Sequence, residues 1–413
     1  MPRSTRFVPL ATAVGVTVAL AGCGGDSGGS GGGSSESVTI GVIAPMEGGF
    51  ADIGNNIVNG FNLGLKHAQE DGLAEGIDVR VEVKDEQANA QAASQAARDF
   101  LSDDVQLLAG MLTTPACSAV APLVDEAGGV LVTSVCAGND LSGAYTGETP
   151  FERTFSLSPR DAMVSDALVE TMSEKFPEVT NYNVFGYDYA WGRDTWGTYR
   201  EGMTDAGVAV DVDQEFWVPL GETNFRSQVS AMSRGIGAKE DSAVFLATYG
   251  AGTSAFLQQA SAFDVVGNVN LLASAGGYYP VARQLDGAAP DMWNAYDYNY
   301  AAYDNETNKR FVEDYEAEHG QKPVSWTFEG YQAALAYMTA IDEVGSGDAD
   351  EIVEALKGLE IESPAGSLTI DAETHQLLAP TVVSHTRGNP DAPEGVEVLE
   401  TVVVPAADVL DVG

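Results

Sequence analysis

From residue 38 onward, short unbroken apolar runs alternate with longer stretches whose apolar positions recur at helical spacing. Val38–Ala44 (VTIGVIA) reads as a buried strand and Pro45–Gly54 as a loop. The next stretch reads as a helix with Ile57, Phe61, Leu65 and Ala68 on one face. Val79–Val83 gives a second strand and Ala88–Leu101 an alanine-rich helix. Val105–Leu141 is the most informative stretch. Val105–Ala109 suits a strand, Gly110 turns the chain, and Thr113-Thr114-Pro115 stands where a helix should begin. Pro lacks the N–H that the first helical turn leaves unpaired, and Thr can cap the remaining donors. The helix runs through Val120, Leu123, Val124 and Ala127 to a double Gly, and Val130–Thr133 returns to the sheet. Such a unit sets parallel strands side by side and gathers their carboxyl-end loops on one edge, where ligands bind. Two hydroxyls at a helix start can grip a carboxylate or carbonyl oxygen there, although both also suit plain capping.

Phe151–Pro159 breaks the rhythm and a second series begins. It comprises helix Asp161–Phe176, strand Tyr182–Gly186, loop Tyr187–Gly192 and a helix ending near Ala206. A strand within Val208–Val218, helix Phe225–Arg234, strand Ala243–Thr248, helix Thr253–Phe263 and strand Val269–Ala273 continue it. The loops Tyr249–Thr253 and Ser274–Pro280 carry Tyr249, Tyr278 and Tyr279. Trp293–Tyr303 (WNAYDYNYAAY) reads as an aromatic-rich crossover. Helices Asn308–His319, Trp326–Val344 and Ala349–Leu359 come next, Glu362–Ile370 crosses again, and strands near Pro380–His385 and Val396–Val404 close the chain. The expected fold is α/β: two doubly wound parallel-sheet lobes joined by a three-strand hinge. Residues 38–154 plus 299–364 form lobe 1 and 155–298 plus 365–413 form lobe 2. The cleft between them is the expected binding site.

Composition changes this picture in three ways. The 413 residues hold 61 acidic and 20 basic side chains, a formal charge of −41. That charge repels nucleic acid and anionic lipid and points to a high-salt habitat, where ions screen the self-repulsion. The first 23 residues read as a lipoprotein signal peptide: Arg3 and Arg6, the short apolar core Phe7–Leu20, then Leu20-Ala21-Gly22-Cys23, which resembles a lipobox. Cys23 would carry the lipid, and residues 24–37, nearly all Gly and Ser, would tether the folded body outside the cell membrane. With Cys23 so used, Cys117 and Cys136 remain as a pair in an oxidising compartment, either bridged or as two free thiols. The four histidines show no metal-ligand spacing, and no G-x-S-x-G elbow marks a hydrolase.

Val38–Val404 resembles the type I solute-binding proteins of ABC importers, in the branched-chain amino acid and amide branch. APMEGGFADIGNNIVNGFNLGL is similar to that branch's first loop and helix. VKDEQANAQAASQAARDFLSDDVQLLAG is similar to its second strand, helix and third strand. EGYQAALAYMTAIDEVGSGDADEIVEALKGL resembles its helical return segment, and SPAGSLTIDAETHQ its third crossover. The resemblance implies a monomeric receptor without cofactor that closes on a small solute and delivers it to permease subunits; a ligand sensor for a signalling partner is the alternative. It places Thr114, with Thr113 beside it, on the ligand's carboxylate. The loop after the fourth strand falls on Val135, Cys136 and Ala137, without the family's hydroxyl. Phe50 and Ile53 wall the pocket, and Trp191 and Tyr249 cover the ligand from lobe 2. Amino acid binders carry an acid after the last lobe-2 strand; here stand Ala275 and Gly276, with Tyr278 close by. A small carboxylate, amide or aromatic acid is therefore the expected ligand. Asp188 would restore a preference for the ammonium of an amino acid, unless it caps the next helix.

Overall fold

A computed structural model describes residues 37–147, 149–236, 241–276, 279–285 and 287–409. The signal peptide, Cys23, the tether and Tyr278 lie outside the described residues. The chain begins with β1 (Ser37–Ala44), α1 (Ala51–Glu70), β2 (Asp78–Asp85) and α2 (Ala90–Ser102). It continues through β3 (Leu107–Gly110), α3 (Thr114–Ala127), β4 (Val130–Thr133) and β5 (Thr154–Ser156). These strands pair in parallel in the order β2-β1-β3-β4-β5. From Ile40 to Ala44 β1 has no polar side chain because both faces are covered: Ile40 and Val42 enter one core, Ile43 the other.

The second lobe runs α4 (Asp161–Lys175), β6 (Asn181–Tyr187), α5 (Ala190–Asp205), β7 (Asp211–Val218) and α6 (Arg226–Ile236). Then come β8 (Ser242–Ala247), α7 (Gly250–Ala262), β9 (Leu271–Ser274), α8 (Tyr279–Gln284) and β10 (Met292–Tyr296). The chain next returns to lobe 1 as α9 (Glu306–His319), α10 (Ser325–Val344) and α11 (Ala349–Leu356). It ends with β11 (Glu360–Ser363), β12 (Gly366–Thr369), β13 (Thr381–Gly388) and β14 (Val396–Val404). The second sheet has the order β14-β13-β10-β9-β8-β6-β7. Its first five strands repeat the winding of lobe 1, but β13 and β14 join antiparallel, so this sheet is mixed rather than wholly parallel. The chain passes between lobes after β5, after β10 and after β12.

The return helix α10 seats backbone against backbone on α1. A Cβ on Gly60 would stand 1.9 Å from the Thr327 carbonyl oxygen, and one on Gly330 would stand 2.1 Å from that of Ile57. The Tyr337 hydroxyl then donates to the Leu108 carbonyl 2.6 Å away and pins α10 to the sheet. No helix among the described residues is long and apolar enough to cross a membrane.

Several expected boundaries shift. Helix α1 starts at Ala51, so Ile53 and Gly54 are helical rather than in the loop, and Leu63, not Leu65, is buried. Helix α5 starts at Ala190 and takes Trp191 and Gly192 out of the expected loop; α7 likewise begins at Gly250. The first residues of Trp293–Tyr303 are the sheet strand β10, and only the residues after Tyr296 cross. Glu362–Ile370 does not cross: it belongs to the hairpin β11–β12, whose Ile361 and Leu368 pack in the lobe 1 core. The expected lobe boundary at 364/365 thus falls in a turn, and the passage lies between Ile370 and Thr381. There Leu377 donates its N–H to the Ser156 carbonyl. For the hairpin, a tertiary contact invisible to local spacing decides where the passage lies.

Candidate functional site

Both sheets present the carboxyl ends of their central strands to one cleft, as winding of this order requires. From lobe 1, Leu112 and Thr114 follow β3, while Val135 and Ala137 follow β4. From lobe 2, Tyr189 and Trp191 follow β6, Tyr249 follows β8 and Gly276 follows β9. Tyr296 ends β10, and Trp326 stands in the first turn of α10. Together they enclose a cavity of about 30 Å³. One water needs roughly 10–15 Å³ on this measure, so the jaws stand nearly closed. Across the cleft the rings of Phe50 and Tyr249 lie 5.9 Å apart.

The lobe 2 wall is aromatic and held by its own contacts. The Trp191 and Tyr249 rings meet edge to face at 5.2 Å, and the hydroxyls of Tyr189 and Tyr249 are 3.0 Å apart. Tyr187 donates to the Tyr249 carbonyl at 3.3 Å. These bonds fix the ring faces that a ligand would meet.

A second recess, of about 430 Å³, shares Thr114 with the first. Its walls include Pro115, Asn139, Asp140, Asp161 and Asp194, from the start of α3, the loop after β4, and helices α4 and α5. Asp161 is 2% exposed, and its Oδ1 has no hydrogen-bond partner. Its backbone N–H donates to the Ala137 carbonyl at 2.8 Å, which ties α4 to the cavity wall. Burial pushes its carboxyl well above the usual range, Arg160 opposes this, and Asp194 and Asp140 add to it. Arg160 is fully buried and donates to the carbonyls of Cys136, Gly138 and Ser158 at 2.8–2.9 Å. Burial lowers its guanidinium to about 10, with Asp161 opposing. Glu86, also fully buried, accepts the Leu112 N–H at 2.8 Å, and burial raises its carboxyl to about 8.

Among the residues expected at the site, Thr114, Val135, Trp191, Tyr249 and Gly276 line the inner cavity. Thr113 does not: it is 4% exposed, stands at the N-cap position of α3 and makes no side-chain cap. Cys136 does not line it either; it is fully buried and bonded to Cys117, with Cα atoms 6.3 Å apart. Phe50 touches Tyr249 rather than the cavity. Asp188 neither lines the cavity nor caps α5; it is exposed and pairs with Arg193 at 2.6 Å. Sequence reasoning misses Leu112, Tyr189, Tyr296 and Trp326, and also Glu86, Arg160 and Asp161. A usable signal exists only for Arg160-Asp161, a charged pair set directly after the first crossing.

The profile of the periplasmic binding protein family matches residues 37–389. The Leu/Ile/Val-binding protein homolog 6 of Brucella melitensis is 25% identical over 350 residues, covering 82% of this chain and 85% of that protein. An amino acid ABC transporter substrate-binding protein from Pseudomonas fluorescens superposes with a TM-score of 0.76 at 22% identity, covering 89% of this chain and 96% of that one. A solute binding protein of an ABC transporter from Rhodopseudomonas palustris, in complex with 3,4-dihydroxybenzoic acid, has a TM-score of 0.76 at 24% identity, covering 89% and 98%. Winding order, cleft position and family profile coincide over the same residues, and the chain belongs to the periplasmic binding protein family.

Proposed function

We propose that this chain is a lipid-anchored extracytoplasmic receptor that delivers a small solute to the permease of an ABC importer. The observation that carries the proposal is the cavity itself, walled from both lobes by residues at the carboxyl ends of their strands. A ligand there touches both lobes at once, so it stabilises the closed arrangement over the open one, and the permease reads closure. Thr114 at the start of α3 takes a carboxylate or amide oxygen, while Trp191 and Tyr249 cover the rest of the ligand. The relatives named as amino acid binders and the neighbour holding a dihydroxybenzoate support a range that runs over small carboxylates, amides, amino acids and aromatic acids. The lipid on Cys23, the Cys117–Cys136 bridge and adaptation to high salt belong to the same proposal, since all three suit a protein tethered outside the cell.

Small-angle X-ray scattering tests the closure. Protein freed of ligand by mild denaturation and refolding should shrink in radius of gyration when a ligand from its native extract is returned. A radius unchanged by every bound compound would refute the hinge mechanism.

A further inference from the structure

We infer that the folded body pairs with a second copy of itself, joining two lobe 1 sheets edge to edge through β2, antiparallel and about a two-fold axis at Val81. This goes beyond the receptor reading and departs from the single-chain receptor that the resemblance implies. Strand β2 ends its sheet, with β1 as its strand neighbour. From Asp78 to Asp85 it keeps one unbroken register with β1. The outer side of such a strand carries a row of N–H and C=O groups on which another strand can pair.

The other three edges of the two large sheets are blunted. Strand β5 is three residues long and already bridged by Gln376. Strands β7 and β14 each hold one extra residue against their neighbours, Asp213 and Leu399, and such a bulge twists an edge away. Their charged side chains are all acidic, Asp211, Asp213 and Glu215 on β7 and Glu397 and Glu400 on β14, so a second copy would meet like charge. Strand β2 has neither device. Its sequence DVRVEVKD sets Asp78, Arg80, Glu82 and Lys84 on one face, alternating in sign, and Val79, Val81 and Val83 on the other. Antiparallel pairing about Val81 puts Asp78 opposite Lys84 of the second copy, Arg80 opposite its Glu82 and Val79 opposite its Val83. Every pair is complementary, and each occurs twice by symmetry. A slip of one residue sets valines against charges, and a slip of two sets Arg80 against Arg80 or Glu82 against Glu82. Charge therefore fixes the register.

Arg80 and Glu82 are exposed, and Val83, at 40% exposure, is among the few large apolar side chains left in water. Lys84 Nζ lies 4.1 Å over the Phe100 ring, which steadies the ammonium at the end of the strand. Between Asp78 and Lys84 two acids and two bases cancel, on a chain whose formal charge is −41, so two chains can meet here without like-charge contact. A two-fold contact closes on itself and gives a dimer, not a fibre. Eight residues a side is well below the roughly 20–30 of a standard interface, so the pair is weak in solution. The proposed tether, by holding copies on one surface, would favour it. Because β2 lies wholly in lobe 1, pairing leaves the hinge free.

Sedimentation equilibrium tests the inference on the full-length protein, with Cys23→Ser throughout so that no lipid drives association. The salt is the lowest at which circular dichroism shows the fold intact, so that contact pairs are still felt. From micromolar to near-millimolar protein the mean mass should rise from that of one chain toward that of two. Arg80→Glu and Glu82→Arg, each alone, should raise the dissociation constant about tenfold or more, because symmetry turns two opposite-charge pairs into two like-charge pairs. Mixing the two variants, or combining both changes in one chain, should restore association, which damage to the fold by either substitution would not allow. A single chain over the whole range overturns the inference and leaves this edge to a strand of another protein. Association that both single variants leave unchanged, or that neither the mixture nor the double variant restores, overturns it too. The receptor reading is judged separately, by ligand-driven compaction in scattering.

Discussion

Replacing Glu86 with Gln should stabilise the protein at pH 8.5 and leave it nearly unchanged at pH 4. Glu86 is fully buried between β2 and α2, with one oxygen on the Leu112 N–H and Oε2 without a partner. Burial is the main cause that lifts its carboxyl from 4.5 to about 8; the Leu112 bond opposes this and Asp85 adds to it. Below pH 4.5 folded and unfolded chains both hold the proton. Between 4.5 and 8 the unfolded chain releases it and the folded chain keeps it, so stability falls as pH rises, and above 8 the loss is complete. The interval is 8 − 4.5, or 3.5 pH units. At about 1.4 kcal/mol per unit it amounts to roughly 5 kcal/mol, an upper bound because relaxation and water entry soften burial.

Gln reproduces the protonated acid in shape and charge and still accepts from Leu112, but it has no proton to release. The assay is scanning calorimetry of both proteins at pH 4, 6.5 and 8.5 in one constant salt, where a buried site is screened far less than the surface. The melting difference should grow with pH to on the order of 5 °C. A difference independent of pH, or a variant less stable at pH 8.5, would mean that Glu86 is ionised and paired in the folded state.

Other expectations are sharper in direction than in size. Gly330→Ala should unfold lobe 1 or cost several kcal/mol, since its Cβ has 2.1 Å to the Ile57 carbonyl oxygen; a near-normal melting temperature would show that α1 and α10 can part. Replacing Cys117 and Cys136 with Ser opens a loop of sequence separation 19 and should cost about 3 kcal/mol in urea unfolding, unless the folded protein holds free thiols. Circular dichroism should show compact structure lost reversibly at low salt, given the formal charge of −41; a melting temperature indifferent to salt would refute halophilic adaptation. Asp188→Asn should leave ligand affinity unchanged, because Asp188 faces solvent and Arg193; a tenfold loss would return it to the site.

The reach of local pattern is limited by how far apart the deciding contacts lie. Strands β1, β3 and β4 are legible because each apolar run is short, largely buried on both faces and bounded by turn residues. Thr114, Trp191, Tyr249 and Gly276 are legible because strand-end loops in such sheets must point at the cleft. Gly54 reads as loop for the same reason that it is helical. Gly lowers helix propensity locally, yet a Cβ there would stand 1.9 Å from the Pro45 carbonyl oxygen, a contact that the run of sequence does not display. Tyr296 and Trp326 reach the cavity from the end of β10 and the start of the return helix, where direction depends on both lobes being built.

Asp188 and Asp161 make the sharper contrast. Both precede or open a helix of lobe 2, and local rules would cap a helix with either. Neither does so in the manner expected. Arg193, five residues along, folds back to Asp188 and draws it into solvent. The loop after β4 bonds the Asp161 N–H through Ala137 instead, and accepts from both terminal nitrogens of its neighbour Arg160 through Cys136 and Gly138. The disulfide from Cys136 to Cys117 ties that loop to α3, the helix that Thr114 opens. The loop after β4 therefore holds the opening of α4 and the opening of α3 together, and removing the disulfide should loosen the cleft wall at Thr114 before it unfolds either sheet.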